Sequence, residues 1–482
     1  MNEQKKLLIN NEWRDASGGR TMDVVNPATE ETVATVAAAD KSDVDAAVAA
    51  ARAALNGPWG KMSARERGRF VRKLADRLLE RADDVARLET LHNGKPIFES
   101  RQIEIPAAAE CFEYYAGWAD KVMGETIPVR GNYLTYTLRE PLGVVAAIVP
   151  WNFPLLLAAW KVAPALSTGN VVILKPASQT PLTAIALGEI AVEVGLPPGV
   201  LNVITGPGST VGQAIVEHPG IDKIAFTGDT STGKGIMRAA ADTLKRITLE
   251  LGGKSPNIVL PDADIDAALR GATTGIFYGK GEVCAAGSRL LVDRSIKDEF
   301  MEKLAARTRK MVAGDPLDPR TRYGALASKK QLETVTRYVE IAKKEGASLV
   351  AGGARADIGT GKGYFFQPTV FDHVTPEMTI AREEIFGPVL ATIEFSDLDE
   401  AIARANDSQY GLAAAVWTRD VKKAHYVARR LQAGTVWINT YNVYDTAAPF
   451  GGYKASGFGR EMSAHALEHY TQVKSVWVDL NM

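Results

Sequence analysis

A cysteine flanked by small residues is the first candidate for covalent chemistry. Cys284 lies in the run Gly-Glu-Val-Cys-Ala-Ala-Gly at residues 281–287. Glycine and alanine leave room for a substrate, and a thiolate here could attack an electron-poor carbonyl to form a covalent adduct. The sequence has one other cysteine, Cys111, and each of the two could instead be a small buried hydrophobe. On this segment alone, a nucleophile and a structural cysteine are equally supported.

Two polar residues follow predicted strands and could assist such a nucleophile. Glu250 ends an apolar strand before a Gly-Gly turn, where a partly desolvated carboxylate would have a raised pKa and could act as a general base. Asn152 lies in Pro-Trp-Asn-Phe-Pro at 150–154, and its amide could donate to an oxyanion. The alternatives are that Glu250 caps the turn and that Asn152 is a helix N-cap. A cap would use the side-chain oxygen of Asn152, whereas an oxyanion would use the nitrogen.

Three more segments at strand ends could bind a nucleotide. Lys175, fixed by the proline after it, could bond ribose hydroxyls or a phosphate, or it could be a solvated lysine beside a turn. Glycine-rich turns at 206–212 and 226–234 lie between a strand and a helix, where backbone amides can face a phosphate. The first turn lacks the G-x-G-x-x-G spacing, so by itself it predicts only a tight turn.

The elements that position these residues alternate between strand and helix. Apolar strands are predicted at 143–149, 170–174, 201–204, 223–226 and 247–251, and a second series has strands at 255–260, 288–292, 389–395, 413–417 and 435–439. This alternation predicts parallel sheets covered on both faces, with ligands at the carboxyl ends of the strands. Helices are predicted before them at 43–55, 64–91 and 106–123. An exposed strand pair at 126–139 and a C-terminal strand at 473–480 complete the pattern.

The composition excludes several classes of protein. The chain has 482 residues, a formal net charge of −1, 46% hydrophobic and 23% charged residues, so it is an ordinary globular protein of two or three domains. No strong field favours nucleic acid or an anionic membrane, and no apolar run is long enough for a transmembrane helix. We therefore expect a cytoplasmic protein with no nucleic-acid or membrane partner.

Together, these segments resemble the aldehyde dehydrogenase superfamily along essentially the whole chain. Each motif alone is modest, but nine occur in order, and the C-terminal half looks most like the branch of tetrameric acetaldehyde and retinal enzymes. The motifs are Asn-Pro-Ala at 26–28, Asn-Gly-Lys-Pro at 93–96, Pro-Trp-Asn-Phe-Pro at 150–154, Lys-Pro-Ala at 175–177, Phe-Thr-Gly at 226–228, Leu-Glu-Leu-Gly-Gly-Lys at 249–254, the Cys284 segment, Glu-Glu-Ile-Phe-Gly-Pro at 383–388, and Pro-Phe-Gly-Gly-Tyr-Lys with Ser-Gly at 449–457.

The resemblance implies an α/β fold with two parallel-sheet domains, a Rossmann-like cofactor domain and a catalytic domain, plus a β-strand oligomerisation arm. The NAD(P)-binding domain would comprise residues 1–122 and 141–251, and the catalytic domain residues 252–452. Residues 123–140 and 453–482 would form the arm and the C-terminal strand. By resemblance the protein would be a homo-oligomer, with a tetramer favoured over a dimer, and would oxidise a small-molecule aldehyde with NAD or NADP.

The resemblance also implies a role for each site residue. Cys284 would attack the aldehyde, Asn152 and the Cys284 backbone N–H would hold the oxyanion, and Glu250 would activate the water that hydrolyses the thioester. Lys161 and Glu461 match a proton path from this base, and no metal is implied. The residues expected beside the cofactor are Val149, Pro150, Trp151, Lys175, Ser178, Gly208, Gly212, Phe226, Gly228, Asp229, Leu251, Glu384 and Phe386. The substrate pocket would be lined by Phe153, Trp160, Val283, Ala285, Tyr444 and Phe450.

The chain departs from the family pattern in three places. Gly279-Lys280 stands where the family usually has Asn-Gln, and Lys280 could lower the thiol pKa, although we expect it to face solvent. Asp229 replaces a common serine near the pyrophosphate, where a close carboxylate would be repulsive. Ser178 replaces a glutamate that often bonds the adenosine 2′-hydroxyl, which makes room for a 2′-phosphate, as in succinate-semialdehyde enzymes with a similar Lys-Pro-Ala-Ser run. The sequence therefore predicts that NADP is accepted.

Other readings of the same fold remain open. A coenzyme-A-acylating relative would send the thioester to a thiol, but such enzymes generally lack the glutamate at position 250. A non-catalytic homologue would lack the nucleophile, the base or the oxyanion asparagine, and all three are present. The predicted aromatic funnel favours an apolar or aromatic aldehyde, and a semialdehyde is the alternative.

Overall fold

The computed structural model describes residues 4–482, and its first large sheet has eight strands. The five central strands run parallel, and the three remaining strands add to the two edges in antiparallel orientation. From edge to edge the order is Gly457–Phe458, Arg246–Glu250, Lys223–Thr227, Val144–Ile148, Val171–Lys175, Leu201–Val203, Leu7–Ile9 and Glu12–Arg14. The helices that pack against this sheet include Lys41–Asn56, Pro154–Ser167, Leu182–Glu193 and Thr230–Ala240.

The second large sheet has seven strands and is parallel except at one edge, where Ser348–Ala351 pairs antiparallel with its neighbour. Its order is Ser348–Ala351, Thr369–Asp372, Val389–Phe395, Arg289–Asp293, Pro256–Val259, Ala413–Trp417 and Thr435–Ile438. Its helices are Ile265–Phe277, Lys297–Arg309, Lys329–Lys344, Leu398–Asn406 and Val421–Arg430. The predicted fold class of two parallel-sheet α/β units is confirmed.

A separate three-stranded antiparallel sheet lies outside both. It contains Thr126–Ile127, Tyr133–Pro141 and Thr471–Asp479, so the predicted strand pair and the predicted C-terminal strand bond to each other. Smaller sheets are formed by Gln4–Lys5, Thr21–Val25 and Thr32–Ala37, and by Tyr410–Gly411 with Tyr453–Lys454. The sequence analysis did not predict the N-terminal strands or the two strands at 348–351 and 369–372.

The helices before the first sheet correct one prediction. The helix predicted at 64–91 is two helices, Ala64–Glu80 and Ala82–Asn93, because the backbone of Arg81 leaves helical geometry between them. The second ends at Gly94, whose φ of +83° is in the left-handed region that glycine favours. A π-helical turn, Ser100–Glu104, then leads into Ile105–Trp118. The remaining short helices are Pro58–Lys61, Ile97–Glu99, Gln213–Glu217, Thr379–Arg382 and His465–Glu468.

Residues 4–482 contain neither a membrane-spanning helix nor a cluster of metal-ligating side chains. In that range, no helix is both long and apolar enough to cross a membrane. Within the same range, no group of three or more histidine, cysteine, aspartate or glutamate side chains is placed to hold a metal ion.

Candidate active site

Cys284 lies in the loop between the helix Ile265–Phe277 and the strand Arg289–Asp293, where it is only partly buried. Burial raises the pKa of its thiol to about 12, and the carboxylates of Glu384 and Glu250 add to the shift. The backbone N–H groups of Ala285 and Cys284 act in the opposite direction, because they face the sulfur. Cys111, in contrast, is completely buried, and burial raises its pKa well above the usual value. Of the two cysteines, only Cys284 combines access with facing backbone donors.

Glu250 ends the strand Arg246–Glu250, and the Gly-Gly turn that follows packs against the cysteine loop. A Cβ on Gly253 would collide with the carbonyl oxygen of Cys284, so this close approach requires glycine. Glu250 is 3% exposed, and among the described residues neither of its carboxyl oxygens has a hydrogen-bond partner. Burial, followed by the charge of Glu461, raises its pKa well above the usual value. The alternative that Glu250 caps the turn is therefore not what the structure shows.

Lys161 and Glu461 form a buried ion pair close enough to Glu250 for their charges to act on its pKa. Lys161 lies on the helix Pro154–Ser167 and also donates to the Thr227 hydroxyl at 2.6 Å. The backbone of Glu461 pairs with that of Phe450 in an isolated antiparallel β-bridge, which positions the Glu461 segment. The charge of Glu461 raises the pKa of Glu250, and the charge of Lys161 lowers it.

Asn152 is buried, and its Nδ2 donates to the carbonyl oxygen of Glu282 at 3.0 Å. A primary amide has two N–H groups, so one is left for another acceptor. Phe153 occupies the N-cap position of the following helix, and within the described chain it makes no side-chain capping bond. The N-cap alternative for Asn152 is therefore wrong.

Two residues that the sequence analysis named only as part of a motif support the Asn152 loop. Lys95 Nζ donates to the Asn152 carbonyl at 2.7 Å, and Asn93 Nδ2 donates to the Trp151 carbonyl at 2.7 Å. Lys95 is also ion-paired with Glu104. The available signal was a pair of polar residues on either side of Gly94, directly after a helix, but their burial cannot be read from the sequence.

The expectation that Lys280 faces solvent is wrong. Its side chain is 2% exposed and is ion-paired with Glu282 at 2.9 Å. The physical reason is the backbone, because Gly279 and Lys280 both have positive φ values, +56° and +61°, which turn the loop back on itself. Lys280 Nζ also donates to the Asn93 side-chain oxygen at 2.6 Å and to the Asn93 carbonyl at 3.1 Å.

The residues predicted beside the adenosine include one buried cation, Lys175. Lys175 ends the strand Val171–Lys175, and burial lowers its pKa to about 8. Its Nζ donates to the Pro176 carbonyl at 3.0 Å, which leaves further N–H groups for ribose hydroxyls. A Cβ on Gly212 would lie 3.7 Å from Lys175 Cε, and Gly208 faces open space, so the turn Gly208–Gly212 lies beside the lysine. Ser178 donates to the Gly206 carbonyl at 3.1 Å.

A second group of the predicted cofactor residues lies nearer Cys284. Glu384 accepts from the Gly253 N–H at 2.9 Å, and burial raises its pKa to about 7. The rings of Trp151 and Phe386 meet edge to face with their centroids 5.2 Å apart. The neighbouring Val149, Pro150 and Leu251 lie at the carboxyl ends of strands in the first sheet. Lys175 ends a strand of the first sheet, and Glu384 lies in the segment before the second-sheet strand Val389–Phe395. A buried lysine and a partly buried carboxylate fit the hydroxyls of a dinucleotide with two riboses.

Asp229 is the N-cap of the helix Thr230–Ala240. Its carboxylate accepts from the backbone N–H groups of Ser231 at 2.8 Å and Thr232 at 3.0 Å. These are the amides that would otherwise face a phosphate at this helix N-terminus. The preceding residues are tightly packed, since a Cβ on Gly228 would lie 2.6 Å from the Phe226 ring. The role of Asp229 toward a cofactor stays a prediction.

The predicted aromatic residues form a continuous cluster. Trp160 and Phe450 have ring centroids 5.5 Å apart, and Phe450 and Tyr444 are 5.7 Å apart. Burial of the Tyr444 hydroxyl, followed by the charge of Cys284, raises its pKa well above the usual value, while 40% of the residue is exposed. Tyr444 is therefore near the thiol and also reaches solvent. Phe153 stacks on Tyr278 at 6.1 Å, a partner that the sequence analysis did not name.

The two residues on either side of Cys284 are placed differently from the aromatic cluster. Val283 is almost completely buried, and Ala285 has no exposed surface. The carbonyl of Ala285 accepts from the Tyr441 hydroxyl at 2.8 Å. Full burial does not support the prediction that Ala285 lines a substrate pocket, and its position fits a role in holding the cysteine loop.

The aldehyde dehydrogenase family model matches residues 13–476. The chain belongs to this family. It is 50% identical over 476 residues to human mitochondrial aldehyde dehydrogenase, covering 98% of this chain and 92% of that protein. It is 51% identical over 480 residues to human retinal dehydrogenase 2, with the same coverage. The NAD⁺ complex of aldehyde dehydrogenase from Bacillus cereus has a TM-score of 0.98 and 50% identity, covering 99% of this chain and 97% of that one.

As an aldehyde dehydrogenase, the protein is an oxidoreductase that converts an aldehyde to a carboxylic acid with NAD(P) as the acceptor. The family resemblance predicted from nine motifs is confirmed.

Proposed function

We propose that this aldehyde dehydrogenase works through a covalent intermediate on Cys284. The Cys284 thiolate attacks the aldehyde carbon, a C–S bond forms, and the carbonyl oxygen becomes an oxyanion. The free N–H of Asn152 Nδ2 and the Cys284 backbone N–H stabilise that oxyanion. A nicotinamide held beside Glu384 and Phe386 would supply the hydride acceptor that turns the resulting thiohemiacetal into a thioester on Cys284. The observation that carries this assignment is that two backbone donors and the carboxylate of Glu250, which accepts no hydrogen bond from the described part of the chain, all act on one thiol.

Glu250 completes the reaction by activating water. Its carboxylate takes a proton from water, the hydroxide attacks the thioester carbon, and the C–S bond breaks to give the carboxylic acid and the Cys284 thiolate. A base that has a raised pKa and no hydrogen-bond partner within residues 4–482 suits this task. The buried pair of Lys161 and Glu461 carries the proton onward, which is supported by its electrostatic contact with Glu250.

The cofactor residues are assigned as the resemblance implied. Lys175 would bond the adenosine ribose, Glu384 would accept from the nicotinamide ribose, and Phe386 would pack near the nicotinamide ring. The B. cereus relative was solved with NAD⁺, which supports the same site in this chain. A glutamate at position 178 would repel a 2′-phosphate, whereas Ser178 leaves space for one. NADP is therefore accepted in addition to NAD.

The ratio of kcat/KM for the two cofactors tests this. A preference for NAD above about a hundredfold, worth about 2.7 kcal/mol, would contradict NADP acceptance. We expect Ser178→Glu to shift the ratio toward NAD at least about tenfold, because the new carboxylate would bond a 2′-hydroxyl and repel a 2′-phosphate. Ser178→Ala is the matched control, since it removes the hydroxyl without adding charge.

The substrate is an apolar or aromatic aldehyde. The cluster of Trp160, Tyr444 and Phe450 supports this choice, because its exposed ring, Tyr444, is near Cys284 and the three rings offer apolar surface rather than a cation. A semialdehyde remains the alternative, and it would need a cation to hold its distal carboxylate. We expect phenylacetaldehyde to have a higher kcat/KM than succinate semialdehyde.

Association and location follow from two further features. The three-stranded sheet exposes Tyr133, Leu134, Leu138, Trp477 and Val478, a set of apolar side chains that supports an oligomerisation arm and a tetramer. Light scattering would give the mass of the assembly.

Both cysteines are free thiols, which supports a reducing compartment such as the cytoplasm. The chain divides into two proposed domains. Most of the first sheet lies in the domain formed by residues 1–122 and 141–251, and the second sheet lies in residues 252–452.

The deciding experiment follows reduced-cofactor absorbance with aliphatic, aromatic and semialdehyde substrates. We expect Cys284→Ala to lower turnover by at least about 10³-fold, because the covalent route is lost. Cys111→Ala is the matched control and should retain turnover, since that thiol is buried away from solvent. Turnover that survives in Cys284→Ala would overturn the thioester mechanism.

A further inference from the structure

Lys280 and Glu282 form an ion pair inside the loop that leads to Cys284. Their side chains are 2% and 1% exposed, and the charged atoms are 2.9 Å apart. Lys280 has a φ of +61°, a conformation that costs a non-glycine residue about 1 kcal/mol or more. Such a conformation persists only where its surroundings enforce it, and here the surroundings are the acceptors of the Lys280 ammonium.

The other acceptors of that ammonium belong to Asn93. Lys280 donates to the Asn93 side-chain oxygen at 2.6 Å and to its backbone carbonyl at 3.1 Å. On its other side, Asn93 Nδ2 donates to the Trp151 carbonyl at 2.7 Å. An ammonium can only donate and a carbonyl can only accept, so these two neighbours fix which way the Asn93 amide points. Lys280 therefore orients the residue that holds the Asn152 loop.

Glu282 links the Lys280 ammonium to the side chain of Asn152. Its carboxylate accepts from the Ala327 N–H at 2.9 Å, and its backbone carbonyl accepts from Asn152 Nδ2 at 3.0 Å. These contacts form a closed ring. Lys280 bonds Asn93, and Asn93 bonds the backbone of residues 151–152. The Asn152 side chain then bonds Glu282, which pairs with Lys280. Lys95, Glu99 and His92 are further charged or titratable groups whose charges act on this ring.

We propose that the Lys280–Glu282 ion pair is a positioning device that sets the Asn152 carboxamide relative to Cys284. This rests on the proposed function, in which Asn152 stabilises the oxyanion. Lys280 is not placed to act on the thiol directly, because its ammonium is engaged by Asn93 and Glu282, and the strongest charges on Cys284 are those of Glu384 and Glu250. Because Lys280 departs from the asparagine–glutamine pattern, this arrangement distinguishes the chain from the usual form of the family.

The test combines Lys280→Gln, Glu282→Gln and the double variant with steady-state kinetics on the full-length enzyme. Each single change leaves one buried charge without its partner, whereas the double change leaves two neutral amides of similar size. We expect each single variant to lose about 10–100-fold in kcat/KM for aldehyde, and the double variant to recover to within about fivefold of the parent. Lys297→Gln breaks a buried ion pair at the second sheet and should change kcat/KM less than twofold.

A second readout separates positioning from general destabilisation. If Lys280 acts through Asn152, then Lys280→Gln should lower kcat/KM less than about threefold in an Asn152→Ala background. The rate at which iodoacetamide alkylates Cys284 should change less than about threefold in Lys280→Gln, because alkylation forms no oxyanion. The same fold loss in both backgrounds, or an unchanged kcat/KM in Lys280→Gln, would overturn the proposal. An active parent whose turnover survives Cys284→Ala would instead overturn the proposed function itself.

Should one single variant fail to fold, the other takes its place in the same comparison. We then expect Glu282→Gln, which should lose about 10–100-fold in the parent background, to lose less than about threefold in the Asn152→Ala background relative to Asn152→Ala alone. A loss there that is as large as in the parent background would also overturn the proposal.

Discussion

Two glutamates near Cys284 are almost equally buried, and they are held in opposite ways. Glu282 is 1% exposed, is ion-paired with Lys280 and accepts from the Ala327 N–H. Glu250 is 3% exposed, and in residues 4–482 neither of its oxygens has a hydrogen-bond donor. Burial raises the pKa of both carboxyls, but for Glu282 the charge of Lys280 is the strongest opposing influence, whereas for Glu250 the charge of Glu461 adds to the shift.

The difference separates structure from chemistry. A buried carboxylate with a cation and a backbone donor is fixed in one place, and these partners oppose the rise in its pKa that burial causes. A buried carboxylate without donors is costly to ionise, so it gains a proton readily and is poised to exchange it. The loop before Cys284 therefore has a rigid side, at Glu282, and a reactive side, at Glu250.

The largest expected effect is on the reactive side. Glu250→Gln keeps the size of the side chain but removes the base, so steady-state turnover should fall by about 10³-fold, or about 4 kcal/mol. Acylation does not need this base, so the variant should still release close to one equivalent of reduced cofactor per site in a rapid burst. Stopped-flow absorbance measures both quantities.

The matched variant on the rigid side is Glu282→Gln. There the burst itself should slow, because the asparagine that stabilises the oxyanion is displaced. If Glu250→Gln loses the burst and Glu282→Gln keeps it, then the division into a rigid side and a reactive side is wrong.

Stability should separate the two glutamates next. Glu282→Gln leaves the Lys280 ammonium buried without its counter-charge, which should lower the free energy of unfolding by about 3 kcal/mol. Glu250→Gln should have the opposite effect at alkaline pH. Because the folded-state pKa of Glu250 is raised, its ionisation destabilises the folded protein as pH rises above the ordinary glutamate value. The variant should therefore gain stability relative to the parent as pH increases.

Chemical denaturation at pH 5 and pH 8 measures this. The parent and Glu250→Gln should be close at pH 5, where the buried carboxyl is protonated, and diverge at pH 8. Equal stabilities at both values would show that the folded protein does not hold Glu250 at a raised pKa.

The sequence predicts the reactive side better than the rigid side. Glu250 and Asn152 were identified because each follows an apolar strand, and parallel strands bring their carboxyl ends to one edge of a sheet. Lys280 was expected in solvent because a lysine in a glycine-rich turn is usually exposed. Its burial depends on Asn93, which is 187 residues away in the chain, and on two consecutive left-handed residues. Neither a distant partner nor a backbone angle is visible in local sequence.

The same limit explains the errors in the fold. The parallel strands were predicted because continuous apolar runs show their burial, and several bounds match the structure to the residue, such as Val389–Phe395 and Ala413–Trp417. The break at Arg81 was missed because apolar spacing continues on both sides of it. The N-terminal strands were missed because they are short and alternate little, and pairing with distant strands stabilises them.

The smallest and most specific effect concerns the charges around Glu250. Its pKa is raised by burial and then by Glu461, and it is lowered by Lys161. Glu250 must be ionised to act as a base, so turnover should rise with pH through its pKa. Glu461→Gln removes the raising charge and should move this rise to lower pH, whereas Lys161→Met removes the lowering charge and should move it to higher pH.

Profiles of kcat against pH for the two variants measure both shifts, and Lys297→Gln should leave the profile in place. Shifts of the same sign would mean that the two residues act on Glu250 by disturbing its packing rather than through their charges, and the reactive side would then owe its chemistry to burial alone.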